Sequence, residues 1–455
     1  MEKREAGGRL TLARLAVFSS PVLLFQALEL PWRMYVPAFF AQQLGLSLAA
    51  VGALLMWVRL FDMGADTVVG WASDRFPSRY GHRRPWMAAG LPLILLGTWQ
   101  VFFAQPGIDI ATLAAWCMVL HLGYALTVTP HGGWGLEIAR DHHERTRVMG
   151  AKVWFAAAGT PLILAMPAIG ERWFGAGLAD QVHLLGIALM LLAAASVVAV
   201  LALIPELPPS PRREPQGTDL GAALRAVLRD RALLLILALY ALVGLSEAGS
   251  ATTFLFLVDD ALGLPGWGST LILVQMLVGL VAIPVWSAVS RRIGKRHALA
   301  GVFAWKAVAA PFALLLPQGQ LAPLVLFLVF ANLSWGGDYT LLRSMVADLS
   351  GRDLAARGAR NSGTYYAVFN ISLKFAGALG VGAVLWLLAR IGFDPAAAKG
   401  VPTDALRFVY ALPTSAAATL ALLLLWRGGG AYDRAAGAGT PPRPLPATRD
   451  TGCAA

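Results

Sequence analysis

Apolar stretches long enough to cross a bilayer, roughly 20 residues each, recur twelve times along the chain. They begin near Leu15, Leu48, Trp86, Ile110, Met149, His183, Ala232, Trp267, Ala298, Leu321, Gly363 and Ala405. The most polar and Pro-rich connection, from Pro205 to Arg231, divides them six and six. This pattern predicts an all-α integral membrane protein with 12 transmembrane helices in two six-helix bundles. The N-terminal bundle covers 1–204, a cytoplasmic linker 205–231, the C-terminal bundle 232–427, and a disordered cytoplasmic tail 428–455. Within the linker, Leu220, Leu224, Val227 and Leu228 set against Arg225, Arg229 and Arg231 have the spacing of a helix lying on the membrane surface.

Composition agrees with the pattern: 57% of the 455 residues are hydrophobic and 14% charged, with a mean hydropathy of +0.62. A soluble domain with a water-facing surface does not sustain such values. The net charge of +11 raises nucleic acid as a partner, but the placement of the basic residues argues against it. The termini and one alternate set of connections hold 29 Lys and Arg, and the other set holds 4. The positive-inside rule then places both termini in the cytoplasm, as expected of a multi-pass protein of the cell inner membrane. Cys117 and Cys453 fall in a span and in the tail, so no disulfide framework is implied.

The halves echo one another weakly. Aligning Trp71 with Trp286 sets GWASDRFPSRYGHRRP after span two against VWSAVSRRIGKRH after span eight, yet Asp62 and Asp66 then face Leu277 and Val281. The scaffold repeats while the acidic residues do not. Prolines in spans one, five and eight, and Gly377, Gly380 and Gly382 in span eleven, suit kinked or closely packed helices.

Four basic residues, Arg33, Arg59, Lys306 and Lys374, lie inside spans. A charge at the bilayer centre costs about 2.5 to 3.5 kcal/mol on insertion scales, so each needs a partner, water or a function. Arg59, Asp62 and Asp66 sit at i, i+3 and i+7, on one face of a helix within two turns. Two such carboxylates raise one another's proton affinity unless a cation lies between them. Lys374 in span eleven is the natural counter-charge. If Arg59 is paired elsewhere, two acids and one lysine leave one negative charge for Na+ or H+ to neutralise. The alternative is a permanent buried network that holds the halves together. Glu29 and Arg33, four apart on span one, suit either an intrahelical pair or a cavity lining. Glu247 and Lys306 stay unassigned, and Asp338, near the cytoplasmic end of span ten, suits a gate or loop anchor. Trp134, Tyr365 and Tyr366 offer faces that stack on a sugar or pack in the core. His131 has no ligand-spaced neighbour, so no metal is expected. No nucleotide-binding glycine loop or other enzyme motif is present.

Three stretches carry a resemblance. They are the run from Gly45 to Trp86 (GLSLAAVGALLMWVRLFDMGADTVVGWASDRFPSRYGHRRPW), WGLEIARDHHERTR from Trp134, and SMVADLSGRDLAARGARNSGTYYAVFNISLKFAGALG from Ser344. Together they resemble the glycoside, pentoside and hexuronide:cation symporters, the melibiose permease family of the major facilitator superfamily. The resemblance implies a Na+, Li+ or H+ site at Asp62 and Asp66 with Lys374 as its charge partner. It also implies a sugar-binding role for Lys152. The family asparagine between the two acids is Ala65 here, and its two sugar-binding aspartates fall on Gln26 and Val128. Galactoside specificity is therefore not carried over, although Gln26 can still bond a hydroxyl. Asp74, Arg75, Gly81, Arg83 and Arg84 resemble the superfamily's gate loop between spans two and three. Glu137 and Arg145, in the run after span four, are grouped with that gate.

The expected function is secondary active transport by alternating access, with a Na+ or H+ symporter for a sugar, glycoside or related small polar solute as the first reading. The alternatives are a carrier or exporter of a more apolar or lipid-like solute, and a non-transporting membrane scaffold. The expected partners are the solute and the lipid bilayer, with the protein monomeric and with no cofactor beyond the coupling ion.

Overall fold

The computed structural model describes residues 10–76, 78, 80–138, 142–206, 225, 227–357, 362–393, 395 and 403–436. Within these ranges the side chains of 74, 136–137, 142–146, 350–357, 362–367 and 436 are not among those described. Twelve helices are long and apolar enough to cross a membrane. Spans one to six are Leu12–Met34, Leu48–Ser73, Arg84–Phe102, Ile110–Gly135, Arg147–Phe174 and Leu178–Leu203. Spans seven to twelve are Arg231–Ala261, Gly268–Ile293, Lys295–Leu315, Leu321–Leu349, Val368–Arg390 and Thr403–Ala435. Their starts fall within a few residues of the sequence expectation, because helix caps stand where apolar runs begin. Ser47 caps span two by accepting from Ala50 N–H, Asp109 caps span four, and Asp230 caps span seven.

Two features depart from the expected divisions. Span twelve stays helical through Gly428, Gly429 and Gly430 to Ala436, past the point where a disordered tail is expected. Tertiary bonds outweigh the poor helix propensity of glycine there: Arg296 pairs with Asp433, and the Tyr432 hydroxyl donates to Asp348 at 2.7 Å. Val227 is fully buried in the second-half core and so does not lie on the membrane surface, while Leu228 is exposed. Leu220, Leu224 and the rest of the tail lie outside the described residues.

Because an even number of spans returns the chain to the side from which it starts, one face of the bundle carries both ends. On the opposite face the apolar core runs without a break from one half to the other: Phe39 and Leu48 belong to the same cluster as Phe256, Leu271 and Leu385. A second cluster, around Leu239, Leu299 and Leu342, belongs to the second half alone. The halves approach most closely where spans two and eleven cross. A Cβ added at Gly52 would lie 3.0 Å from Leu385 Cβ and 3.3 Å from the Gly382 carbonyl. The glycine run of span eleven thus has the close-packing use expected of it.

A repeat stronger than the tryptophan alignment appears at the ends of spans one and seven. Each closes in one π-helical turn, Phe39–Gln43 and Leu257–Ala261, followed by a residue pair Leu-Gly with the glycine at positive φ. The matching sequence fragments are LGLS at 44–47 and LGLP at 262–265.

Candidate functional site

Span two presents Asp62 and Asp66 one helical turn apart, and Lys374 of span eleven reaches both. Its Nζ lies 3.3 Å from Asp62 Oδ2 and 2.8 Å from Asp66 Oδ2. Asp62 is 0% exposed and has two further neighbours: His121 Nδ1 at 3.3 Å from Oδ1, and Arg59 Nη1 at 3.7 Å from Oδ2. Asp66, 24% exposed, also accepts from the Thr129 hydroxyl at 2.8 Å.

Glu29 settles where Arg59 goes. The guanidinium donates from Nη2 to Glu29 Oε1 at 2.8 Å and from Nη1 to Oε2 at 3.1 Å, a two-pronged pair between spans one and two. Glu29 therefore pairs with Arg59, and no described residue bonds to Arg33. The bonded set is Glu29, Arg59, Asp62, Asp66, His121 and Lys374, on the contact between the halves. Three carboxylates face two permanent cations and one histidine, so the set carries one excess negative charge when His121 is neutral and is balanced when it is protonated. Burying so many charges is costly unless each is paired.

The remaining candidates separate by location. Gln26 donates to Thr160 Oγ1 at 2.6 Å, which ties span one to span five. Lys152 Nζ lies 3.4 Å from His131 Nδ1, and the other ring nitrogen of His131 lies 2.7 Å from the Phe18 carbonyl. Trp134, for which the sequence left sugar stacking or core packing open, is 1% exposed and packs edge-on to Phe18 at 5.7 Å between ring centres. Its ring belongs to the first-half core and has no face free for a sugar. The side chains of Tyr365 and Tyr366 lie outside the described residues.

The expected gate is clasped within the first half. Backbone N–H groups of His82 and Arg83 donate to Glu206 Oε1, both at 2.8 Å, and that of Arg84 donates to Oε2 at 3.3 Å. Gly81, at φ 118°, sits so close that an added Cβ would lie 2.0 Å from Glu206 Oε2. Arg83 Nη1 donates to Ser73 at 2.9 Å, Arg84 bonds to the Leu201 carbonyl, and Arg75 lies 5.9 Å from the Trp71 ring centre. The side chains of Asp74, Glu137 and Arg145 lie outside the described residues. Besides Lys374, bonds join the halves on the face opposite the termini. There Glu171 accepts from Ser269 N–H and Thr270 N–H, and Ser269 donates to Gln181.

Sequence reasoning missed three of these groups and misplaced a fourth. His121 and Thr129 are polar residues in an apolar span, which alone marks them for attention. Glu206 looked like part of a polar linker. Asp338 is 0% exposed and pairs with Lys306 of span nine, while the Tyr339 hydroxyl donates to Glu247 Oε2 at 2.6 Å. Asp338 is thus a buried partner inside the second half, and its expected position near a loop is corrected.

Known proteins are similar to this chain in sequence or fold. The glucuronide carrier protein homolog of Escherichia coli (strain K12) is 25% identical over 375 residues, 79% of each chain. The uncharacterized symporter sll1374 of Synechocystis is 25% identical over 447 residues, covering 79% of this chain and 82% of its own. The crystal structure of the nucleoside transporter NupG superposes with a TM-score of 0.67 at 14% identity, covering 92% of this chain and 98% of that one, which shows the fold alone. Residues 17–428 match the family described as MFS/sugar transport protein, and the chain belongs to it: a multi-pass membrane transporter of the major facilitator type.

Proposed function

We propose that this transporter is a cation-coupled symporter for a small polar solute of the sugar or glycoside class, set in the cell inner membrane with both termini cytoplasmic. The observation that carries the reading is the pair Asp62 and Asp66 on span two, bridged by Lys374 from the other half. Na+ or H+ at Asp62 and Asp66 competes with Lys374 for the same oxygens. Lys374 belongs to the other half, so cation binding changes how strongly the halves hold each other. That differential is what a coupling ion needs in order to bias alternating access. The symporter names of two-half relatives support the reading, and the basic residues concentrated on one side support the orientation.

The test uses the protein in vesicles, with Na+ competition and pH titration of cation binding. Wild type should bind Na+ or H+, and Asp62→Asn and Asp66→Asn should each weaken that binding. A wild type that binds neither ion, or variants that bind as wild type does, makes the cluster a structural tie and ends the coupling mechanism.

A further inference from the structure

Lys374 of the second half meets acids of the first half, and a reverse arrangement lies one turn along span one. Arg33, four residues after Glu29, lines a cavity of about 150 Å3 whose other walls, apart from Leu30 and Met34, belong to the second half. That volume holds several water molecules at about 30 Å3 each. Glu247 of span seven and Lys306 of span nine line it as well.

The charges around this cavity balance across the halves and not within one. Lys306 is bonded to Asp338 of span ten, so in the second half two carboxylates, Glu247 and Asp338, face one ammonium. The Arg33 guanidinium is the fourth charge. It acts on Glu247 from the first half, across the cavity, with no direct bond between the two side chains. The neighbouring charges have partners of their own: Glu29 is bonded to Arg59, and Lys374 of span eleven to Asp62 and Asp66. Spans eight and twelve bring Gln275, Tyr410 and Thr414 to the cavity, none of them charged.

Glu247 itself is half held. Its Oε2 accepts from the Tyr339 hydroxyl at 2.6 Å, while Oε1 is buried without a partner. A carboxylate in low dielectric favours its neutral form when alone, and its ionised form beside a cation or a hydrogen-bond donor. Tyr339 and Lys306 belong to the same half as Glu247 and stay with it during any movement between the halves. Arg33 does not.

We infer that Glu247 is a second proton site, distinct from Asp62 and Asp66: it is ionised while Arg33 faces it, and its Oε1 takes a proton from water when the halves part and Arg33 withdraws. The proton returns to water when Arg33 comes back. The described state is closed on the face opposite the termini, where the apolar core runs from one half to the other. Opening that face separates span one from span seven, so each opening takes up one proton in the second half whichever ion occupies span two. The inference rests on the alternating access of the symporter reading and not on a cation at Asp62 and Asp66.

The test is a pH titration of the full chain in lipid nanodiscs by infrared difference spectroscopy, reading the carboxylic-acid C=O band that protonated carboxyls alone give. A band that grows on acidification is expected, lost in Glu247→Gln and kept in Asp62→Asn. Glu247→Asp, which shifts the band frequency, identifies it where Glu247→Gln fails to fold. Arg33→Gln should move the midpoint of this band to higher pH by about one unit or more, and Arg33→Lys by less. Tyr339→Phe removes the donor to Oε2, should move it the same way, and serves where Arg33→Gln fails to fold. Gly52→Trp forces spans two and eleven apart on the closed face, where even a Cβ would lie 3.0 Å from Leu385 Cβ, and should raise the midpoint as Arg33→Gln does. Absence of a band assignable to Glu247, or a wild-type midpoint in folded Arg33→Gln or Gly52→Trp protein, overturns the inference. Failure of the Na+ competition test at Asp62 leaves the Glu247 band untouched, so the two readings fall independently.

Discussion

At the contact between the halves one ammonium, Lys374, comes from span eleven to meet two carboxylates of span two, whereas Lys306 and Asp338 pair between spans nine and ten of a single half. Both are buried carboxylate–lysine contacts, and they hold different things together. The first joins the two halves across their contact, and the second joins two spans within one half. Exposure follows the same division: the Lys374 side chain is 33% exposed and that of Lys306 11%.

The strongest way to break this comparison is to remove each lysine. Lys306→Met strands Asp338 as a buried lone charge and should lower stability by about 3 to 5 kcal/mol, read by thermal melting in detergent, with Asp338→Leu restoring most of it in the double variant. Lys374→Met should keep more stability but lose gradient-driven uptake, and Na+ or acid should raise its melting temperature more than that of wild type. Equal melting losses with no response to cations would show that both pairs are structural.

A smaller effect sharpens the roles of the two acids. Asp62 meets Lys374, His121 and Arg59, and Asp66 meets Lys374 and Thr129. Asp62→Asn should therefore weaken cation binding by about tenfold more than Asp66→Asn in competition assays. Equal losses would mean that the two carboxylates act as one undivided site.

The smallest effect concerns the clasp in the first half. Gly81→Ala adds a Cβ against Glu206 at a positive φ and should cost about 1 to 2 kcal/mol. Combined with Glu206→Ala the two losses should be less than additive, because the crowding atom is gone. Strict additivity in melting experiments would dissociate Gly81 from Glu206.

The residues differ in how far the sequence reveals them. Asp62, Asp66 and Lys374 were readable because a charge in an apolar run is costly and because the i, i+4 spacing places both acids on one face. The spans were readable because bilayer thickness sets their length. Partner choice was not. Glu29 has two arginines within reach by sequence spacing or charge, Arg33 and Arg59, and it takes the one on the neighbouring span. Gln26 turns to Thr160, and Trp134 turns inward to Phe18. These outcomes depend on the rotation and depth of each helix, which periodicity within one span does not encode.

The sequence by itself determined twelve membrane helices, the one-sided placement of positive charge and the carboxylate pair with its lysine, because local hydropathy, charge and spacing carry that information. Only the tertiary structure decided that Arg59 belongs to Glu29, that Glu206 gathers three backbone donors, that Asp338 is a buried partner of Lys306, and that Arg33 lines a cavity shared with the second half. Each of these joins residues from different spans, and helix packing alone selects which of several chemically suitable neighbours meet.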